Sequence, residues 1–330
     1  MTDHDLNGPA QAGPVVSGVS LAGAGIWAID THYVRPALDA SHLVVHNGRA
    51  AFVDTGPAPA VPLLLDALRQ AGLGAADVDY ILLTHIHLDH AGGAGALLES
   101  LPNAQVVVHP RGVGHLVDPE KLISATRDVY GASTYDRLYG EIRPIPAERI
   151  RGTRDGESVQ FGGRTIRCLH TPGHALHHQA FVDERTGGIF TGDSFGISYR
   201  EFDVGQRAFI LPTTTPSQFD PHQLLSSIDR VLDLHPTEVF LTHYSQVTDV
   251  PRLGRELKAA IGAYVDIVER LADAVNPRAA VAEALMRFTM EALDRHGDTS
   301  SESERRRLLE PDMRLNADGL LAWVRRRRSA

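Results

Sequence analysis

Ten residues constrain this chain more than any other stretch: Thr84-His85-Ile86-His87-Leu88-Asp89-His90-Ala91-Gly92-Gly93. They follow an apolar run, Tyr80-Ile81-Leu82-Leu83, that reads as a buried strand, and they precede a helical pattern. A loop in that position lies at a strand's carboxyl end, where α/β folds place their ligands. His85 and His87 are two residues apart, so an extended loop carries both on one side. Asp89 and His90 come next, and the two glycines after them let the backbone turn tightly. Imidazoles with a carboxylate at short range suit Zn, Fe or Mn. Packing alone has no use for these four side chains at this spacing. Nor can all four serve one tetrahedral ion alongside ligands from elsewhere, so the spacing predicts two metal sites completed by other segments.

Completing residues recur at the ends of later apolar strands. His174 lies in Thr171-Pro172-Gly173-His174, Asp193 in Phe190-Thr191-Gly192-Asp193, and His243 in Leu241-Thr242-His243-Tyr244. The 17 histidines of the chain point the same way. His42, His46, His109, His115 and His170 lack such flanks and are expected in ordinary core or surface roles. His177 stays open between the two.

The rest of the chain divides by pattern. Residues 1–18 are rich in Gly, Pro, Ala and Asn without periodicity and read as a leader. Short β-type runs at 26–29, 43–46 and 51–54 follow, with Asn47-Gly48 as a hairpin turn. Helical spacing covers 60–71 and 91–101, strands 105–109, 157–161, 164–170, 178–183, 188–191 and 239–242, and mixed helical signals 111–140. A helix over 216–234 has Ser217 or Asp220 as its cap. After Pro251 the β signals stop, and helices are expected at 252–274, from Pro277 to about Arg295, and over about 315–326. The expected fold class is therefore α/β (α+β): a leader over 1–18, a catalytic body over 19–250 and a helical region over 251–330.

The ordered set resembles the metallo-β-lactamase fold superfamily of metal-dependent hydrolases. The likeness covers about residues 25–245: the strand end at Asp54, the His-x-His-x-Asp-His loop, His174, Asp193 and His243. It implies a four-layer αββα sandwich with a C-terminal helical extension and a dinuclear centre at one edge. Carried over, His85, His87 and His174 would bind one ion. Asp89, His90 and His243 would bind the other, and Asp193 would bridge. Asp54 and His178 would support the ligands by hydrogen bonds. The implied cofactors are two divalent ions, zinc first, with iron or manganese as alternatives. A shared hydroxide would cleave an ester, thioester or lactone of a small molecule. Asp89 would orient the nucleophile, and Tyr244, beside a ligand, is a candidate oxyanion donor. Glyoxalase II and acyl-homoserine lactonases are the nearest branches in kind. The tyrosine that the lactonases carry after the bridging Asp is not at the same spacing; here the nearest is Tyr199. Relatives with diiron redox centres usually replace the loop's second histidine by Glu, whereas this chain has His87.

Charge narrows the partners. Residues 1–251 hold 17 Lys/Arg against 28 Asp/Glu, and residues 252–330 hold 15 against 13. An acidic body lacks the cationic footprint that nucleic acid needs. A small phosphodiester, or a persulfide handled by one iron, is the alternative substrate; a non-enzymatic sensor is a further reading. No membrane partner is expected, because no apolar run approaches the roughly 18 residues of a spanning helix. The single cysteine, Cys168, excludes an internal disulfide, which suits a reducing cytoplasm. Cys168 itself reads as a buried apolar residue. Arg305-Arg306-Arg307 and the run Arg325 to Arg328 read as a solvated helix face with a frayed end, and a homodimer through the C-terminal helices is conceivable. The Pro- and Thr-rich segment 211–220, with Thr214 and Phe219, is expected to wall the pocket together with 111–140.

Overall fold

The computed structural model describes residues 19–21, 24–216 and 218–329. The leader expected over 1–18 and the capping position Ser217 lie outside them. Two sheets carry the fold. The first runs in chain order: β1 (Val19–Leu21), β2 (Ile26–Asp30), β3 (Ala40–His46), β4 (Arg49–Val53), β5 (Val78–Leu82), β6 (Gln105–Val108) and β7 (Ile150–Gly152). The second has the order β13 (Ser245–Thr248), β12 (Glu238–Leu241), β11 (Ile189–Gly192), β10 (Gln179–Asp183), β9 (Arg164–His170) and β8 (Ser158–Phe161). Pairing is parallel from β4 through β7 and between β11 and β12, and antiparallel elsewhere. At the β3–β4 hairpin Asn47 and Gly48 both have positive φ (47° and 72°), as the expected two-residue turn requires.

Alternation along the strands makes the layers. Val44, Val53, Leu82 and Val107 of the first sheet meet Ile166, Cys168, Phe181 and Phe240 of the second in one buried cluster. Their neighbours Leu43, Phe52 and Ile81 point the other way and pack under Leu64 and Leu68 of α1 (Val61–Gln70). Four further strand-side helices lie along residues 88–130, α2 (Leu88–Ala91), α3 (Ala94–Ser100), α4 (Val113–Val117) and α5 (Glu120–Tyr130), followed by α6 (Ala132–Leu138). The helix expected over 91–101 is α3, which starts at Ala94 after Gly92-Gly93, where helix propensity is lowest, and the short α2 precedes it inside the histidine loop. The outer face of the second sheet is covered by α7 (Pro221–Leu232), α8 (Val250–Leu271), α9 (Pro277–His296) and α10 (Glu302–Ser329). Asp220 caps α7, accepting from the His222 and Gln223 N–H groups at 2.9 and 3.0 Å, with Pro221 in the first turn. Cys168 is buried between the sheets, and burial pushes its thiol up to about 12.

One polar tie crosses the sandwich. Arg164, fully buried on β9, forks onto both oxygens of Asp183, also buried. Its Nη1 donates to the carbonyls of Ala24 (2.8 Å) and Val45 (3.3 Å) of the opposite layer.

The last helix departs from expectation. It begins at Glu302 rather than near 315 and continues through Pro311. Proline removes one backbone bond, but Pro311 sits on an exposed turn while Leu308, Leu309, Met313, Leu320 and Trp323 hold the helix by burial. The arginines are also more engaged than a frayed, solvated end would be. Arg305 is 7% exposed between Asp294 and Asp298. Arg306 pairs with Glu283 and Glu302, Arg327 with Glu269, and Arg328 with Asp273. Among the described residues, no helix is long and apolar enough to cross a membrane.

Candidate metal centre

Strand ends deliver the site. Asp54 follows β4, His85 and His87 follow β5, Asp193 follows β11 and His243 follows β12. His174 stands in the turn between β9 and β10. All seven expected ligands come together in three overlapping groups: His85, His87 and His174; His85, His90 and Asp193; Asp89, His90 and His243. Within each group the candidate ligand atoms lie within 4.8 Å of one another, so each group can hold a metal ion.

Outer hydrogen bonds decide which nitrogen each imidazole turns inward. Thr84 Oγ1 donates to Asp54 (2.8 Å to Oδ2), so it accepts from His85 Nδ1 (3.2 Å). His174 Nδ1 donates to the Thr213 carbonyl (3.4 Å) and His243 Nδ1 to that of Leu38 (2.8 Å). His90 Nδ1 donates to Asp54 Oδ2 (2.9 Å). Every Nε2 of these four rings therefore points inward, where it can carry either a proton or a metal ion. His85 Nε2 and His174 Nε2 converge on His87 Nδ1, at 2.8 and 3.2 Å. His90 Nε2 faces Asp193 Oδ1 at 3.3 Å, and both atoms are buried without a hydrogen-bond partner. Such a pair is unfavourable unless a proton or a metal cation lies between the two atoms. The residues present thus fit divalent ions.

Asp193 is oriented to serve two positions. Its Oδ2 faces His174 Nε2 at 3.3 Å, and its Oδ1 faces His90 and His243 at 3.3 and 3.7 Å. The residue is held by its own backbone N–H, which His178 Nε2 accepts at 3.2 Å, while His178 Nδ1 bonds Thr171 Oγ1 at 2.8 Å. Close packing beneath requires Gly192, at φ +49°: a Cβ there would lie 2.6 Å from Thr84 Oγ1 and 2.8 Å from His178 Nε2.

The two halves differ electrostatically. Burial, reinforced by the neighbouring imidazoles, holds His85 well below the usual histidine range and His87 down at about 3. Burial also lowers His174, against the pull of Asp193. Those rings are neutral ligands at physiological pH. At the other half burial opposes charge but is outweighed. Asp193, Asp89 and Asp54 raise His90 well above the ordinary value, and Asp193 and Asp89 raise His243 to about 9. A field that retains protons there also favours a divalent ion in their place, with proton release on binding.

Other expected residues fall differently. Tyr244 follows a cis peptide from His243, and its charged neighbours are Asp30, Arg200 and Asp39. His177 is buried beside His87, its ring 5.5 Å away, and burial lowers it to about 2. His42 packs edge-on against the stacked rings of Phe190 and Phe240 as an ordinary core residue. Thr214 and Phe219 are buried, at 4% and 1% exposure, rather than lining an open wall. Thr214 takes a bond from its N–H to Asn316 Oδ1 (2.8 Å), and Asn316 Nδ2 donates to the Pro212 carbonyl (3.2 Å). This clamp holds the segment whose Thr213 carbonyl meets His174.

Further groups lie near the centre. Asp39 is fully buried, takes a bond from Thr31 Oγ1 (2.8 Å), and is raised by burial to about 7. Tyr199 donates to Asp312 of α10 (3.0 Å) beneath the Arg35 guanidinium, 4.6 Å above its ring. Tyr33 and Tyr139 join hydroxyls at 2.6 Å, and with Tyr130 they feel the charge of Asp89. Tyr130 and Tyr139 come from the segment 111–140.

Comparison with known proteins agrees with this geometry. The metallo-beta-lactamase fold-containing protein ST1585 of Sulfurisphaera tokodaii is 31% identical over 171 residues, 50% of this chain and 60% of that protein. Its crystal structure superposes with a TM-score of 0.58, covering 72% of this chain and 86% of the other. An atrochrysone carboxyl ACP thioesterase of Pseudocercospora fijiensis is 24% identical over 292 residues, 86% of this chain and 71% of that protein. The metallo-beta-lactamase family protein TTHA1429 of Thermus thermophilus shares the fold at 23% identity, with a TM-score of 0.64 over 92% and 94% of the two chains. The family model of the metallo-beta-lactamase superfamily spans residues 38–243, from the edge of β3 to the last clustered histidine, and the chain belongs to that superfamily.

Proposed function

We propose that the chain is a metal-dependent hydrolase of small acyl compounds, cleaving an ester, thioester or lactone bond. The observation that carries this reading is the convergence of seven His and Asp side chains in three overlapping groups, with His90 Nε2 and Asp193 Oδ1 facing each other, buried, at 3.3 Å. His85, His87 and His174 would hold one ion, and Asp89, His90 and His243 the other. Asp193, with one oxygen toward each group, would span both. Zinc is the first expectation, with iron or manganese accepted by the same ligand types. Bound there, such ions would supply Lewis-acid activation of water and of the scissile carbonyl.

The chain's own residues would do the remaining work. Asp54 and the Leu38 and Thr213 carbonyls hold His90, His243 and His174 in the required tautomer. Asp89 turns Oδ2 toward His90 (3.9 Å) and His243 (3.6 Å), which leaves Oδ1 to accept a hydrogen bond from the attacking water and orient it. The acyl preference is supported by the thioesterase relative, which aligns over 86% of this chain, and by the acidic body, which disfavours polyanions.

The test is turnover by protein loaded separately with zinc, manganese or ferrous iron. The panel holds an aryl ester, an acyl-CoA, a glutathione thioester, a long-chain lactone and an aryl phosphodiester. Cleavage confined to acyl compounds is expected, and cleavage of the phosphodiester alone would overturn the acyl reading. His87→Ala should lose metal and activity while still folding; full activity in that variant with its metal content verified would overturn the ligand assignment.

A further inference from the structure

A cavity of about 240 Å³ lies between the segment 207–212 and helices α8 and α9. None of its lining residues belongs to the three His/Asp groups. Its floor is apolar, formed by Phe209, Leu211, Ala260, Tyr264 and Phe288 among others. Its rim carries Arg207 and Arg295, both exposed and, among the described residues, in no ion pair. The rim's one acid, Glu256, is already paired with Arg252. On the inner wall His296 is 6% exposed, and its Nε2 is buried without a hydrogen-bond partner. Its ring stands 5.2 Å from that of Phe209.

An apolar recess with a few convergent polar groups is the usual make-up of a small-molecule site. The rim groups without a charged partner, Arg207 and Arg295, are both cationic, so the complementary ligand is an anion with an apolar body; burial keeps His296 neutral, and its Nε2 adds nothing to the binding of an anion. At about 30 Å³ for each water-sized group, the volume takes roughly eight such groups. We infer that this cavity binds a medium-chain carboxylic acid of about six to eight carbons, its tail on the floor and its carboxylate between Arg207 and Arg295. The wall residues Leu211 and Pro212 run directly into Thr213, whose carbonyl meets His174. A ligand there therefore shares a loop with the metal centre without touching it.

Isothermal titration of the metal-loaded full chain with octanoate, octylamine and octanol tests the inference. Octanoate should bind, octanol more weakly and octylamine not at all. Ala260→Trp, which fills the recess, and the double variant R207E/R295E should each lower octanoate affinity at least tenfold. His87→Ala, at the other site, should leave it within twofold. If Ala260→Trp perturbs folding, the double variant at exposed positions carries the test. Absence of octanoate binding, equal binding of octylamine, or an affinity lost in His87→Ala but kept in R207E/R295E would overturn the inference.

Discussion

Asp54 is where the wiring of the centre can be cut with least change of shape. Its Oδ2 accepts from His90 Nδ1 and Thr242 Oγ1, both at 2.9 Å, and its Oδ1 accepts from the Thr84 N–H at 2.8 Å. The side chain is 1% exposed, so water cannot stand in for a lost partner. Asp54→Asn preserves volume but replaces one acceptor by an NH2 donor. With that donor toward His90, the ring must give up its Nδ1 proton and carry one on Nε2, the atom that faces Asp193. With it toward Thr84, a backbone N–H is left unpaired instead. Partners of this kind are worth about 10–100-fold in metal affinity, or roughly 1.4–2.7 kcal/mol. Loss of a buried, charge-assisted bond also lowers global stability by about 1–3 kcal/mol. Stepwise metal affinity, measured by chelator competition with metal content checked by mass spectrometry, would separate the two proposed ions. One binding step should weaken 10–100-fold, because only His90 bonds Asp54 directly, while the His85/His87/His174 step changes less. Affinities within twofold of the parent at both steps, in a folded variant, would refute the reasoning.

Arg164→Met should destabilise the chain by about 3–5 kcal/mol, since it leaves the buried Asp183 carboxylate unpaired; a denaturation midpoint near the parent's would contradict this. Gly192→Ala should cost about 1–2 kcal/mol for the left-handed backbone alone, and the clash with Thr84 and His178 should shift Asp193 and lower metal content, both readable in one melting and metal-analysis experiment. Asp312 is raised by burial to about 6 from an ordinary 3.8, so the folded state holds its proton more tightly than the unfolded chain. Its contribution is favourable at low pH and is lost as pH rises through about 6, a change of roughly 3 kcal/mol. Asp312→Asn, which still accepts from Tyr199, should therefore gain stability over the parent as pH is raised from 4 to 7.5, and a constant difference in Tm across that range would be inconsistent with it.

The contrast between legible and hidden parts of the site follows from sequence distance. The loop from His85 to His90 could be read because four ligands sit within one turn of chain, a local pattern with few other uses. His174, Asp193 and His243 were legible through repetition: each ends an apolar strand. The sandwich layers followed from alternation such as Leu43 and Val44. Asp39 and Asp312 carry no such mark. Each is an ordinary polar residue in its own segment and reaches the centre only through tertiary packing, Asp312 from the far end of the chain. The start of α10 was missed for a related reason. Pro311 signals a break locally, and only burial of Leu308 and Met313 against neighbouring helices overrides it. Thr214 and Phe219 were read as pocket wall from their residue types, yet burial turned them to a structural task.

That task ties the two ends of the molecule together. Asn316, 2% exposed on α10, grips the segment that presents a carbonyl to His174. Loosening of the final helix therefore releases the backbone acceptor that fixes one ring of the metal centre, more than a hundred residues earlier in the chain. By mass action, whatever binds only the intact centre stabilises the helix as well, by about 4 kcal/mol when present at a thousand times its dissociation constant. The C-terminal helix and the cluster of histidines are in this sense linked through one short segment: binding at the centre adds to the stability of a tail that already folds without it.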